Sequence, residues 1–217
     1  MCNKEDIFDL IVADSEKDFI KTGLNLEGEI VSDILTVLEG FPYVGSLIKL
    51  GRIGSNYMDL QFVRKIAKFL QQTENIPNDK KEEFVRSLNT EQRRKMYEYL
   101  MHFLYVAESE EKAVIMGFIY HDHILGHIND EMFLRLCSII NKCFVNDLRC
   151  LDLYAQPTTD SNYVTDNLYS YGLLTTLVPA YDEQNRGINM DTRYTLNSIG
   201  KNLHSILLSK KWFKNPK

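Results

Sequence analysis

The sequence predicts a mainly α protein, a helical bundle with one small antiparallel β-hairpin close to its C-terminal end. Two observations carry this. Apolar residues recur at three- and four-residue spacing through most of the chain, in stretches opened by Asn or Thr and closed by Gly or Pro. Residues 173–178 and 190–196 are instead short β-type runs flanking a polar loop. With 217 residues, the chain holds one generous domain or two small ones. The best boundary is the acidic stretch 108–111, giving regions 1–108 and 109–217 with or without a common core. It lacks the Gly, Ser and Pro of a linker.

Residues 4–22 predict a short helix with Ile7, Leu10, Ile11 and Phe19 apolar. Asn25 caps a second helix, 26–39, whose Glu27 and Glu29 suit the positive end of the helix dipole. Gly40 and Pro42 stop it. Its stripe of Ile30, Ile34, Val37 and Leu38, widened by Val31 and Leu35, belongs to a deeply buried helix. Residues 30–53, with Gly45 and Gly51, read as an apolar hairpin. A core hairpin is the plain reading. A peripheral membrane element is the other, with Lys49, Arg52, Arg64, Lys65 and Lys68 near lipid; Asp33 and Glu39 count against insertion.

A helix over 58–72 turns Phe62, Ile66, Phe69 and Leu70 inward and Arg64, Lys65 and Lys68 outward. Asn78 is the expected cap of a helix over 79–88, and Thr90 of one over 91–107 bearing Met96, Leu100, Phe103 and Leu104. The acids Glu82, Glu83, Glu91 and Glu98 dilute the charge of Arg93-Arg94-Lys95. A helix over 110–125 ends at Gly126. The next, 131–144, is capped by Asn129 or Asp130 and buries Met132, Phe133, Leu136, Ile139, Ile140 and Phe144. A short helix over 146–154 and a turn at Gln156-Pro157-Thr158 lead to a helix that starts polar at Thr159 and stops at Gly172.

Composition removes several function classes. The formal charge of −5 gives no global attraction to nucleic acid or anionic lipid. The start, MCNKEDIFDL, has acids and no apolar core, so no secretory signal is expected. No run of 18 uncharged apolar residues predicts a spanning helix. The motifs GxxxxGK[ST], GxGxxG after a strand, GxSxG and the calcium loop are absent, and nothing implies a cofactor. Cys2, Cys137, Cys143 and Cys150 lack metal spacing and read as reduced thiols. His121, His123 and His127 are the only weak metal candidates. His123 and His127 would share a helix face, but Gly126 falls between them and ends the helix. The alternative is a helix end decorated with protonated histidines. Glu108, Glu110 and Glu111 read as stabilising acids at a helix start.

The segment NLYSYGLL…TRYTLNSIGKNL resembles the C-terminal half of a bacterial winged helix-turn-helix domain. Leu168, Gly172, Leu173 and Leu174 match the family's turn after its recognition helix. Tyr194, Leu196, Gly200 and Leu203 match the motif after its wing, with Asn197 where Thr is usual. The resemblance covers about 129–208 and implies that helix 159–171 stands in the reading position. The first half is loosely similar to uncharacterised bacterial and phage-associated helical proteins, through an apolar P-x-x-G hairpin and a RKIAKFL-type helix. No activity follows from that likeness.

Charge separates this shape from DNA binding. From Cys150 to Asn185 there is no Lys or Arg, while Asp152, Asp160, Asp166, Asp182 and Glu183 are acidic. Entry into a groove needs phosphate neutralisation beside the reading element. The expectation is therefore a non-enzymatic protein-interaction or regulatory module of a bacterial cytosol. Its partner would meet Asp160, Asn162 and Asp166 or the wing residues Tyr181 and Arg186. The alternatives are a DNA-binding transcriptional regulator and a membrane-acting effector, of the phage-defence kind, working through residues 30–53. The tail LLSKKWFKNPK either docks on an acidic partner or lipid, or packs its aromatics on the domain.

Overall fold

A computed structural model describes residues 57–177 and 192–214. The helices expected at 4–22 and 26–39, the hairpin at 30–53, and Cys2, Tyr181 and Arg186 lie outside these described residues. The described chain is mainly helical, with eight α-helices and a two-stranded antiparallel sheet near the C-terminus. By compactness it divides into Met1–Gly117 and Phe118–Lys217.

The first unit contains α1 (Tyr57–Leu70), α2 (Asn78–Ser87), α3 (Thr90–Val106) and the first half of α4 (Glu110–Ile124). α1 buries Ile66, Ala67 and Phe69, and α3 buries Met96, Leu100 and Leu104, as their spacing requires. Phe62, Leu70 and Phe103 are half-buried. The caps differ from expectation in two places. Asn89, not Thr90, opens α3: its side chain accepts from Gln92 N, and the Gln92 side chain accepts from Asn89 N, both at 2.9 Å. That reciprocal pair needs Gln or Glu three residues on, which Asn89 has and Thr90 lacks. Pro77 precedes α2 with extended ψ and no side-chain cap, so Asn78 is already inside the helix.

Lys65 is the larger correction. It does not face solvent; it is buried, and its ammonium donates to Tyr105 O at 2.9 Å and Ala107 O at 2.8 Å. These carbonyls lie at the C-terminal end of α3, where helix acceptors lack intrahelical donors and the dipole is negative. Burial lowers the Lys65 pKa from its ordinary value. On α3, Arg94 bonds Glu91 and Glu98, and Lys95 reaches Glu91 at 3.3 Å. Arg94 and Lys95 are thus both paired with acids on an exposed face.

The second unit runs from the end of α4 through α5 (Asp130–Lys142), α6 (Val145–Arg149), a 3-10 turn (Leu151–Ala155), α7 (Tyr163–Ser170), β1 (Leu174–Leu177), β2 (Arg193–Leu196) and α8 (Ser198–Ser209). Asn129 caps α5 by accepting from Met132 N at 2.9 Å. Phe133, Leu136 and Ile140 are fully buried with Leu168, Leu173 and Leu203. Phe144, expected in this stripe, is 58% exposed. α5 ends at Lys142 and Cys143 is extended, so the helical period no longer aims Phe144 inward. The expected helix at 146–154 is instead α6 and the separate 3-10 turn.

β1 and β2 pair with Leu174 opposite Leu196 and Leu177 opposite Arg193. Thr158 occupies the other side of β2, exchanging backbone bonds with Tyr194 at 3.0 and 2.8 Å. Trp212 is buried, with the Arg149 guanidinium 4.9 Å from its ring centroid. The tail therefore packs its tryptophan on the unit, as the second reading of this segment has it.

Candidate functional site

The two sequence motifs of the second unit meet at one joint. α7 ends with Leu173 N donating to Leu168 O at 3.0 Å, closed by Gly172 at φ 78. This is the left-handed residue that terminates a helix without a side-chain penalty. Asn197 then ties three segments together. Its Oδ1 accepts from Gly200 N at 2.9 Å and caps α8. Its Nδ2 donates to Gly172 O at 2.8 Å and Leu174 O at 3.2 Å, and its backbone N donates to Leu173 O at 3.1 Å. Threonine keeps a capping oxygen but cannot make the two Nδ2 bonds. Asn197→Thr is expected to destabilise the unit by about 1–2 kcal/mol, read by urea unfolding, with Asn197→Ala worse because the cap also goes. Equal stability of Asn197→Thr and wild type would show that the Nδ2 bonds contribute nothing.

The joint places α7. Its start is fixed by Asn162, whose Oδ1 accepts from Val164 N at 2.9 Å and Thr165 N at 3.2 Å. Thr165 is fully buried; its hydroxyl donates to Asp160 O at 3.0 Å and accepts from Asn162 N at 3.3 Å. A hydroxyl has one proton, so Tyr154 OH, at 2.8 Å, is the donor in the Tyr154–Thr165 bond. Asn167 Nδ2 bonds the buried Asp147 carboxylate at 2.9 Å and anchors the helix to α6.

Of the expected interaction residues, Asp160, Asn162 and Asp166 are each exposed, the first two just ahead of α7 and the third in its first turn. Asn162 is exposed, yet its carboxamide oxygen serves the cap. Tyr181 and Arg186 lie outside the described residues. Two tyrosines join the face that charge reading alone does not select: Tyr163 is 75% and Tyr169 49% exposed. Each is three residues from Asp166, so the ring–carboxylate–ring order follows helical spacing. The Tyr169 ring meets Tyr194 edge-on at 6.2 Å. Among the described residues, no Lys or Arg forms a salt bridge with Asp160 or Asp166.

The histidine cluster divides: His121 and His127 lie at the helix end, as the second reading expects, and His123 does not decorate it. Gly126 at φ 74 does end the helix, and His121 and His127 both approach Asp122, at 3.2 and 3.6 Å. His123 is buried, stacked on Phe133 at 4.9 Å, with Nδ1 3.2 Å from Ile128 O and Nε2 3.4 Å from Asp130. It is therefore core, not an exposed protonated ornament. Among the described residues, no group of three or more His, Cys, Asp or Glu is arranged to hold a metal ion. Burial holds the pKa of both His121 and His123 below the ordinary histidine value. The unfolded chain then binds more protons in the window from about pH 6.5 down to the folded values, so stability falls with acidification there. The slope is at most about 1.4 kcal/mol per pH unit per histidine, and His123→Leu is expected to flatten it in unfolding curves taken between pH 7 and 5. An unchanged slope would remove His123 as a cause.

Sequence spacing misses one further pair. His204 Nε2 lies 2.7 Å from Asp152 Oδ1, with the Phe213 ring tilted against the imidazole at 5.4 Å. A histidine oriented by a carboxylate is part of many acid–base sites, but among the described residues no Ser, Thr or Cys hydrogen-bonds to His204. Burial raises the pKa of the Cys137 thiol, and burial together with Asp147 raises that of Cys150, the opposite of an activated nucleophile. Comparison with protein-family models, curated proteins and solved structures gives no match.

Proposed function

We propose that this chain is a non-enzymatic interaction or regulatory module on a winged-helix-like scaffold, and that α7 is its contact element for a protein partner. One observation carries this reading. A helix fixed at both ends, set before a two-stranded sheet, exposes Asp166, with Asp160 exposed just ahead of it, in a stretch without Lys or Arg from Cys150 to Asn185. Such a surface repels phosphate and suits a protein. The free thiols Cys137, Cys143 and Cys150 fit the reducing cytosol this reading assumes. The membrane-effector alternative loses one support, because Lys65 is buried at a helix end rather than held toward lipid.

A salt titration against random duplex separates interaction from DNA reading. The expected result is no retention at about 50 mM salt, where phosphate contacts are strongest. Tight duplex binding that falls steeply with salt and strengthens on Asp166→Asn would overturn the proposal, since removing an acid from a DNA-facing helix relieves repulsion of phosphate.

A further inference from the structure

We infer that the exposed side of α7 recognises an arginine-bearing segment of the partner. This rests on α7 being the contact element and names what it contacts. Tyr163, Asp166 and Tyr169 are spaced three residues apart on a helix whose opposite side, Thr165 and Leu168, is fully buried. The tyrosines therefore stay out by construction, and Asp166 sits between them. Two exposed rings flanking one carboxylate match a guanidinium: its planar face stacks on an aromatic ring while its N–H fork bonds the carboxylate. The Tyr169 ring is steadied by its edge contact with Tyr194, so less side-chain freedom is lost on stacking. Lysine offers a strongly hydrated point charge and fits the rings less well. Nucleobases also stack on tyrosine, but their phosphates would meet Asp160 and Asp166.

The test uses the full chain and a fluorescein-labelled nonapeptide of alternating Arg and Ser, with Lys–Ser and Glu–Ser peptides of matched length, read by anisotropy at low salt. The Arg peptide is expected to bind about 3- to 10-fold tighter than the Lys peptide, and the Glu peptide not at all. Tyr163→Ala with Tyr169→Ala should weaken the Arg peptide by about 5-fold or more, while Tyr163→Phe with Tyr169→Phe, which keeps both rings, should retain it. Glu82→Gln with Glu83→Gln, on α2, should leave it unchanged. Equal loss with the α2 variant, no effect of removing the tyrosines, or tighter binding of a single-stranded oligonucleotide would overturn the inference. A photo-crosslinker at Ser170, on the same exposed side, separates the two levels. A partner adduct that excess Arg peptide does not reduce would overturn the arginine assignment and leave the interaction reading standing. Absence of both adduct and peptide binding would remove both.

Discussion

Gly200→Ala is expected to destabilise the C-terminal unit by about 3 kcal/mol, the upper range of overpacking effects. The Leu173 carbonyl oxygen lies against the Gly200 Cα, and a Cβ there would fall inside that oxygen's van der Waals envelope. It would also stand 3.1 Å from Leu173 C and 3.3 Å from Leu196 Cδ2. The obstacle is backbone, not the end of a flexible side chain. Leu173 cannot retreat cheaply, because its oxygen accepts from Asn197 N and its neighbours' oxygens accept from Asn197 Nδ2. Lys201→Ala, one residue on and exposed, should change stability by no more than about 0.5 kcal/mol. Urea unfolding of both variants decides it: a Gly200→Ala midpoint level with wild type would mean that the carbonyl is not where it stands in this fold.

Lys65→Ala is expected to cost the N-terminal unit about 3 kcal/mol. Tyr105 O and Ala107 O would lose a charged donor, and the buried aliphatic stem would leave a gap. Lys65→Met, which keeps much of the stem, should recover the packing part and still cost about 2 kcal/mol for the unpaired acceptors. Thermal unfolding should rank wild type above Lys65→Met above Lys65→Ala. If the methionine variant matched wild type, the two carbonyls would be satisfied without the ammonium.

The order of helices and the sheet were legible because their signals are local. Asn129, Asn197 and Gly126 announce helix ends through atoms within a few residues, and the Gly172 and Gly200 motifs describe a joint whose parts the chain brings together in a short span. Errors arise where a choice depends on a second residue. Asn89 and Thr90 both can cap; Gln92 selects Asn89. Phe144 keeps the right spacing but falls after the helix has stopped. Lys65 was illegible from amphipathicity, since its two acceptors lie 40 and 42 residues away at the end of another helix. His204 and Asp152 are separated by 52 residues and share no motif. At α7 and just ahead of it, charge alone picks out Asp166 and Asp160. The tyrosines between and beside them carry ordinary core chemistry, and only the burial of Thr165 and Leu168 shows that they point outward.

The small sheet has one further bearing. Thr158 and the Tyr154 carbonyl, which accepts from the Thr195 hydroxyl at 3.4 Å, line the far side of β2. Among the described residues the sheet has two strands, and the far side of β2 carries a single bridge to Thr158 and not a third strand. That one bridge and the Thr195–Tyr154 bond tie the chain ahead of α7 to the strand that follows it in the sheet, so both approaches to the helix are held by β2.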